Sequence, residues 1–278
     1  MNHKEGKFKG QNNLDIYYQS WHPCEIPKSI LLVAHGLAEH SGRYINLVNY
    51  FVPEGYTIYA LDHQGHGKSE GLSGYVNSFS DYINDLKTFF DLIRKENETA
   101  KVFLVGHSMG GLIAVKYTVE HQKDLAGLIL SSPTLKVGSS VSSRDIIIAR
   151  IVAKLFPKTG IAGLDYSAIS RDKRVIDSYI HDPLVYTGKI RARLACELIK
   201  AMVHRLPSEM SKIKLPVLIM QGSLDSLSNP EGSRLLFKLV KSKDKTFKVF
   251  EGLYHEVFNE PEHPQILSYM ETWLNSHL

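Results

Sequence analysis

Cysteine is scarce: Cys24 and Cys196, far apart, are the only two in 278 residues. They can pair, but a chain this size needs no disulfide, and so low a count fits a reducing compartment better. Long apolar runs are also missing. No stretch reaches the roughly 18 apolar residues of a membrane span, and the opening MNHKEGKFKGQNNLDIYYQSW holds no apolar segment of signal-peptide length. A cytoplasmic protein is expected, one that meets a membrane only as a peripheral visitor. Charge of one sign is modest, since 33 Lys+Arg against 29 Asp+Glu leave a formal +4. That is far from a nucleic-acid footprint, so no nucleic-acid partner is expected. Repeats, low-complexity tracts and long linkers are absent as well. A composition of 43% apolar and 22% charged residues excludes wholesale disorder.

What is present is an alternation. The near-continuous apolar runs 29–36, 56–65, 101–108, 125–133, 215–225 and 246–255 read as strands covered on both faces, with an antiparallel edge hairpin near the N-terminus. Helical periodicity separates them at 42–55, 78–96, 110–122 and 230–242. In the second of these, Phe79, Tyr82, Ile83, Leu86, Phe89, Phe90 and Ile93 form one apolar stripe. The pattern is that of an α/β fold, a mostly parallel sheet flanked by helices. Residues 136–205 break the rhythm, with helical signal and no convincing core strand. A crossover needs about a dozen residues, so most of this segment reads as an insertion. The expected organisation is a core in two parts, 1–135 and 206–278, with a helical cap at 136–205 over the strand ends where open α/β sheets bind ligands.

The segment VFLVGHSMGG, 102–111, runs a strand into a serine flanked by glycines. Its G-x-S-x-G pentapeptide also arises in ordinary turns. Between a strand and a helix, however, it describes a nucleophile elbow: a strained Ser108 presented at a helix N-terminus, with Gly106 and Gly110 removing Cβ atoms that would collide. A serine hydroxyl needs a base. Thirteen histidines compete. His35, His40, His63 and His66 precede the serine and either line the site or satisfy buried groups, whereas His121, His204, His263 and His277 read as surface residues. In the chain order serine, acid, histidine, His255 follows the last apolar run and Asp225 follows the run 215–222 and a Gly-Ser turn. The N–H of Met109, next to the nucleophile, and that of Leu37, after the His35-Gly36 turn, are the expected oxyanion donors.

Together HGLAEHSGRY, DHQGHGKSEG, GHSMGG, QGSLD and EGLYHE resemble the monoacylglycerol lipase group of serine α/β-hydrolases, in the same order and over nearly the whole chain. The resemblance implies an α/β-hydrolase core with a helical cap whose apolar face lines an acyl tunnel and approaches a membrane. It implies cleavage of a monoacylglycerol, or a similar lipid ester, to fatty acid and glycerol. It places a triad on Ser108, Asp225 and His255, oxyanion donors on Leu37 and Met109, and a glycerol pocket on Glu39, Arg43, His107 and Tyr179. Glu39 and Arg43 alone would read as a surface ion pair. No metal or organic cofactor is expected, and the oligomeric state stays open. Competing readings are a broader carboxylesterase or lysophospholipase with the same triad, and an idle hydrolase scaffold that binds lipid or protein.

Overall fold

The computed structural model describes residues 1–138 and 141–278; positions 139 and 140 of the expected insertion lie outside the described residues. Along the chain the strands are β1 (Asn2–Lys9), β2 (Asp15–His22), β3 (Ser29–Ala34), β4 (Tyr56–Leu61), β5 (Val102–His107), β6 (Gly127–Ser131), β7 (Gly160–Ala162), β8 (Ile190–Arg191), β9 (Val217–Gly222) and β10 (Lys245–Phe250). The helices are α1 (Ile45–Phe51), α2 (Phe79–Glu96), α3 (Met109–His121), α4 (Ser143–Leu155), α5 (Lys173–His181), α6 (Ala192–Val203), α7 (Leu206–Met210), α8 (Pro230–Leu239) and α9 (His263–Asn275). Eight strands make one sheet in the order β1-β2-β4-β3-β5-β6-β9-β10, and β7 pairs with β8 apart from it.

Every residue of β3, β4, β5, β6 and β9 is buried, which explains their unbroken apolar sequences: these strands run parallel between two helical layers. On one face the stripe of α2 (Phe79, Tyr82, Leu86, Phe89) packs with Leu112, Ile113 and Tyr117 of α3. On the other, Leu47, Val48 and Phe51 of α1 meet Ile266, Met270 and Trp273 of α9. A capping box, Ser78 with Asp81, starts α2 where the polar turn ends. The edges behave differently. β1 is largely exposed, and its antiparallel pairing with β2 is joined through Asn12 and Asn13, both at positive φ.

All six strands expected from apolar runs are shorter than those runs, and the ends of β4 and β10 show why. β4 ends at Leu61, where the Asp62 carboxylate takes up the Ser41 N–H and hydroxyl and the Lys68 N–H and so holds the following loop off the sheet. β10 ends at Phe250, and Gly252 at φ +77° turns the chain, so His255 sits in a loop beyond the strand. The C-terminal α9 was not among the helical candidates. Between β6 and β9 the described residues add no strand to the main sheet; α4 and α6 pack on each other, and a separate small cluster gathers Ile169, Tyr179 and Val185 against Tyr166, Ile176 and Leu227.

The strand order places the site. From β3 the chain moves to β4 on one side and then to β5 on the other. At such a reversal the connections diverge and leave a crevice at the strands' carboxyl ends. The segments leaving that crevice are His35-Gly36-Leu37 after β3 and Ser108 after β5.

Candidate active site

Ser108 has φ +52° and ψ −117°, a conformation costly for any residue with a Cβ. Four backbone contacts hold it there: its N–H donates to Ser131 O of β6 at 3.1 Å, and its carbonyl accepts from the N–H groups of Gly111 and Thr134, each at 3.0 Å, and of Leu112 at 3.3 Å. The elbow also needs its neighbours bare. A Cβ on Gly110 would lie 2.0 Å from the Ala34 carbonyl oxygen, and one on Gly106 would lie 2.6 Å from the Gly110 carbonyl oxygen. The helix α3 therefore starts pressed onto β3, with Ser108 at its N-terminus.

His255 and Asp225 meet here. The imidazole Nδ1 donates to Asp225 Oδ2 at 2.9 Å. Asp225 Oδ2 also accepts from the Ser228 hydroxyl at 2.5 Å and from Gln221 Nε2 at 2.6 Å, while Oδ1 accepts the Leu227 and Ser228 N–H groups at 2.9 and 3.0 Å. Burial alone would raise its pKa, but His255 and these donors outweigh it and hold the carboxyl down at about 2. For His255 burial favours the neutral ring, yet the Asp225 carboxylate wins and raises its pKa above the ordinary 6.5.

Ser108 and His255 line one cavity of about 120 Å³, together with Gly36, Leu37, Met109 and an apolar wall of Leu164, Ile169, Leu198 and Leu227. The Ser108 hydroxyl is hydrogen-bonded to Thr134 Oγ1 at 3.2 Å, and among the described residues it makes no bond to His255. Thr134 was not foreseen; its only sequence signal is its place just after the Ser-Ser-Pro that ends β6. Leu37 and Met109 N–H find no acceptor among the described residues. Gly36 lets that loop approach: a Cβ there would stand 3.2 Å from Ser108 Cβ.

Glu39, His107 and Tyr179 line the same cavity. His107 donates or accepts through Nδ1 at Ser131 (3.1 Å to both the carbonyl and hydroxyl oxygens), packs 4.8 Å from the His255 ring, and is kept neutral by burial and by His255. Arg43 is placed differently, behind the carboxylates. Its Nε reaches Glu39 Oε2 at 3.3 Å, its Nη2 reaches Glu256 Oε2 at 2.6 Å, and its guanidinium lies 4.4 Å over the Tyr179 ring. This is a buried network, quite unlike a surface ion pair. Burial, then Glu256, raises the pKa of Glu39. Glu256 is the second residue that sequence reasoning missed.

The other early histidines build the floor. His35 Nε2 accepts the His63 N–H at 2.8 Å, and the rings of His63 and His66 pack 4.3 and 5.4 Å from that of His35. Burial keeps all three neutral, His63 with a pKa of about 3. His40 instead pairs with Asp182 at 3.0 Å. No group of three or more His, Cys, Asp or Glu side chains among the described residues is arranged to hold a metal ion.

A parallel sheet with a strained serine at its switch point and a carboxylate-braced imidazole beside it defines an α/β-hydrolase. The model of the family described as serine aminopeptidase, S33 matches residues 25–262. The chain is 36% identical to the monoacylglycerol lipase of Mycolicibacterium smegmatis, covering 99% of this chain and 98% of that protein. It is 35% identical to the monoglyceride lipase of Homo sapiens, over 88% and 81%. The solved structure of the Paleococcus ferrophilus monoacylglycerol lipase superposes with a TM-score of 0.83 at 33% identity, over 95% and 99% of the two chains. The chain belongs to the monoacylglycerol lipase family of serine α/β-hydrolases.

Proposed function

We propose that this protein hydrolyses monoacylglycerols to a fatty acid and glycerol through an acyl-enzyme on Ser108. The observation that carries the reading is the 2.9 Å His255–Asp225 contact on the same cavity as a serine at φ +52°. Rotation about Cα–Cβ takes the Ser108 hydroxyl from Thr134 to His255 Nε2. The imidazole accepts its proton as Oγ bonds to the ester carbonyl carbon, and the N–H groups of Leu37 and Met109 hold the resulting oxyanion. His255 then passes that proton to the departing glycerol oxygen as its bond to carbon breaks. Water, deprotonated by the same imidazole, attacks the acyl-enzyme, and the proton returns to Ser108 Oγ as the fatty acid leaves.

The substrate class follows the relatives, and the cavity suits it: an apolar wall for an acyl chain and polar Glu39, His107 and Tyr179 for a hydroxylated head. Glycerol esters, methyl esters and lysophospholipids of one acyl length, turned over by the same preparation, test it. The expected order puts the glycerol ester first by about tenfold or more, as befits a site built to bond a hydroxyl. Preference for the lysophospholipid would overturn the reading.

Residues 136–205 act in this reading as the cap, which brings the protein from the cytoplasm to a membrane surface. Supporting this, Ile147, Ile148, Ile151, Leu155 and Phe156 on and after α4 are each more than half exposed, and Arg144, Arg150, Lys154 and Lys158 flank them. No helix among the described residues is long and apolar enough to cross a membrane. The double variant Ile148→Asp, Ile151→Asp is expected to lower sedimentation with anionic vesicles by about tenfold or more, since each buried isoleucine contributes about 1.5–3 kcal/mol. Turnover of a short water-soluble ester should be spared. Unchanged sedimentation would remove α4 from the contact.

A further inference from the structure

We infer that Glu256 selects the alcohol portion of the ester, accepting a hydrogen bond from one of its free hydroxyls. This rests on the reading of the site as that of a glycerol-ester hydrolase. Glu256 follows His255 directly, is only 5% exposed, and lines the reaction cavity beside Ser108. One of its oxygens is committed. Oε2 accepts from Arg43 Nη2 at 2.6 Å and from Asn259 Nδ2 at 2.9 Å. Oε1 accepts nothing from any described residue.

Glu39, on the same cavity, differs in this respect. Its Oε1 takes the Gly36 N–H at 2.6 Å and the Tyr44 hydroxyl at 2.9 Å, and its Oε2 takes Arg43 Nε. Both Glu39 oxygens thus have donors within the protein, so it offers the head polarity but no wholly open acceptor. A carboxylate as buried as Glu256 is costly unless its oxygens find donors, so the donor for Oε1 comes from what enters the cavity. Arg43 does not line that cavity; it stands behind, where one guanidinium serves two carboxylates. A neutral hydroxyl supplies a donor with no added charge, whereas an anionic head group would bring a third negative group to a single cation. The departing alcohol of a monoacylglycerol carries two such hydroxyls, and that of a methyl ester carries none. Because Glu256 is adjacent in sequence to the imidazole that protonates the departing oxygen, a hydroxyl held there would set the alcohol's orientation at that step.

Glu256→Gln tests this. Its amide oxygen must stay toward the Arg43 guanidinium, so the cavity side becomes an N–H₂ group and the acceptor is lost. The kcat/KM for a monoacylglycerol, divided by that for the methyl ester of the same acid, is expected to fall about 10- to 100-fold, the loss of one hydrogen bond to a charged acceptor. Glu256→Ala should shift the ratio the same way, and melting curves of both variants report whether the fold is kept. A parallel fall for both esters would overturn the inference and make Glu256 a support for His255. An unchanged ratio in folded variants would also overturn it, since the glycerol then does not touch this oxygen. Neither outcome bears on hydrolysis of monoacylglycerols by the unaltered enzyme, which the substrate comparison above decides separately.

Discussion

Ser108→Ala should lower ester turnover by about 10⁶-fold, the loss seen when a serine hydrolase loses its nucleophile. The fold should survive. Alanine keeps the Cβ that already tolerates φ +52°, and the four backbone bonds to Ser131, Gly111, Leu112 and Thr134 that clamp the elbow involve no side-chain atom of Ser108. The one side-chain bond lost is the 3.2 Å contact to Thr134, at the cavity wall where water can replace it. Melting temperature should therefore stay within a few degrees, while labelling by a fluorophosphonate disappears. Some hydrolysis above the uncatalysed rate would persist from the oxyanion donors and substrate binding, about 10³-fold by analogy with other serine hydrolases. The measurement is turnover of a monoacylglycerol by parent and variant at equal folded concentration. A variant that keeps a tenth of the parent rate would end the acyl-enzyme account and leave Ser108 a residue of the turn.

Much of this arrangement was legible in the chain. The five fully buried strands write themselves as apolar runs because both faces are covered, and the elbow announces itself because only glycine fits within 2.0 Å of the Ala34 carbonyl. Given the α/β-hydrolase chain order of nucleophile, acid and base, the ends of the apolar runs pointed to Asp225 and His255. What stayed hidden depends on loops and distant partners. His255 was expected at a strand end, yet β10 stops five residues earlier, at a glycine turn no periodicity marks. Glu256 reads as an ordinary polar neighbour until Arg43, 213 residues before it, arrives to bond it. Arg43 and Glu39 look like a surface pair because their four-residue spacing carries no information about burial. Thr134 shows the same limit: its hydroxyl matters only because β6 delivers it to the elbow, and a threonine after a Ser-Pro step has no distinctive pattern.

Asp225→Asn is expected to cost about 10⁴-fold in kcat/KM, by the tautomer argument known for serine triads, and the hydrogen bonds around this carboxylate explain why. Oδ1 faces two backbone N–H groups that cannot turn away, so the new amide oxygen must take that side. The amide N–H₂ then occupies the place of Oδ2, against Gln221 Nε2, the Ser228 hydroxyl and His255 Nδ1. Ser228 can rotate and Gln221 can flip. His255 can only give up its Nδ1 proton, which moves the hydrogen to Nε2 and leaves no lone pair there to accept the Ser108 proton. The pH profile adds a second readout. Catalysis needs the neutral imidazole, so activity falls as pH drops through the His255 pKa, which Asp225 lifts above 6.5 against the opposing effect of burial. Without the carboxylate, burial is opposed only by the smaller pull of Glu256 and Glu39 and lowers that pKa, so the residual activity of the Asn variant should keep its plateau to lower pH than the parent does. A variant with undiminished rate, or with the acid limb displaced toward higher pH, would mean that Asp225 neither orients nor charges the base.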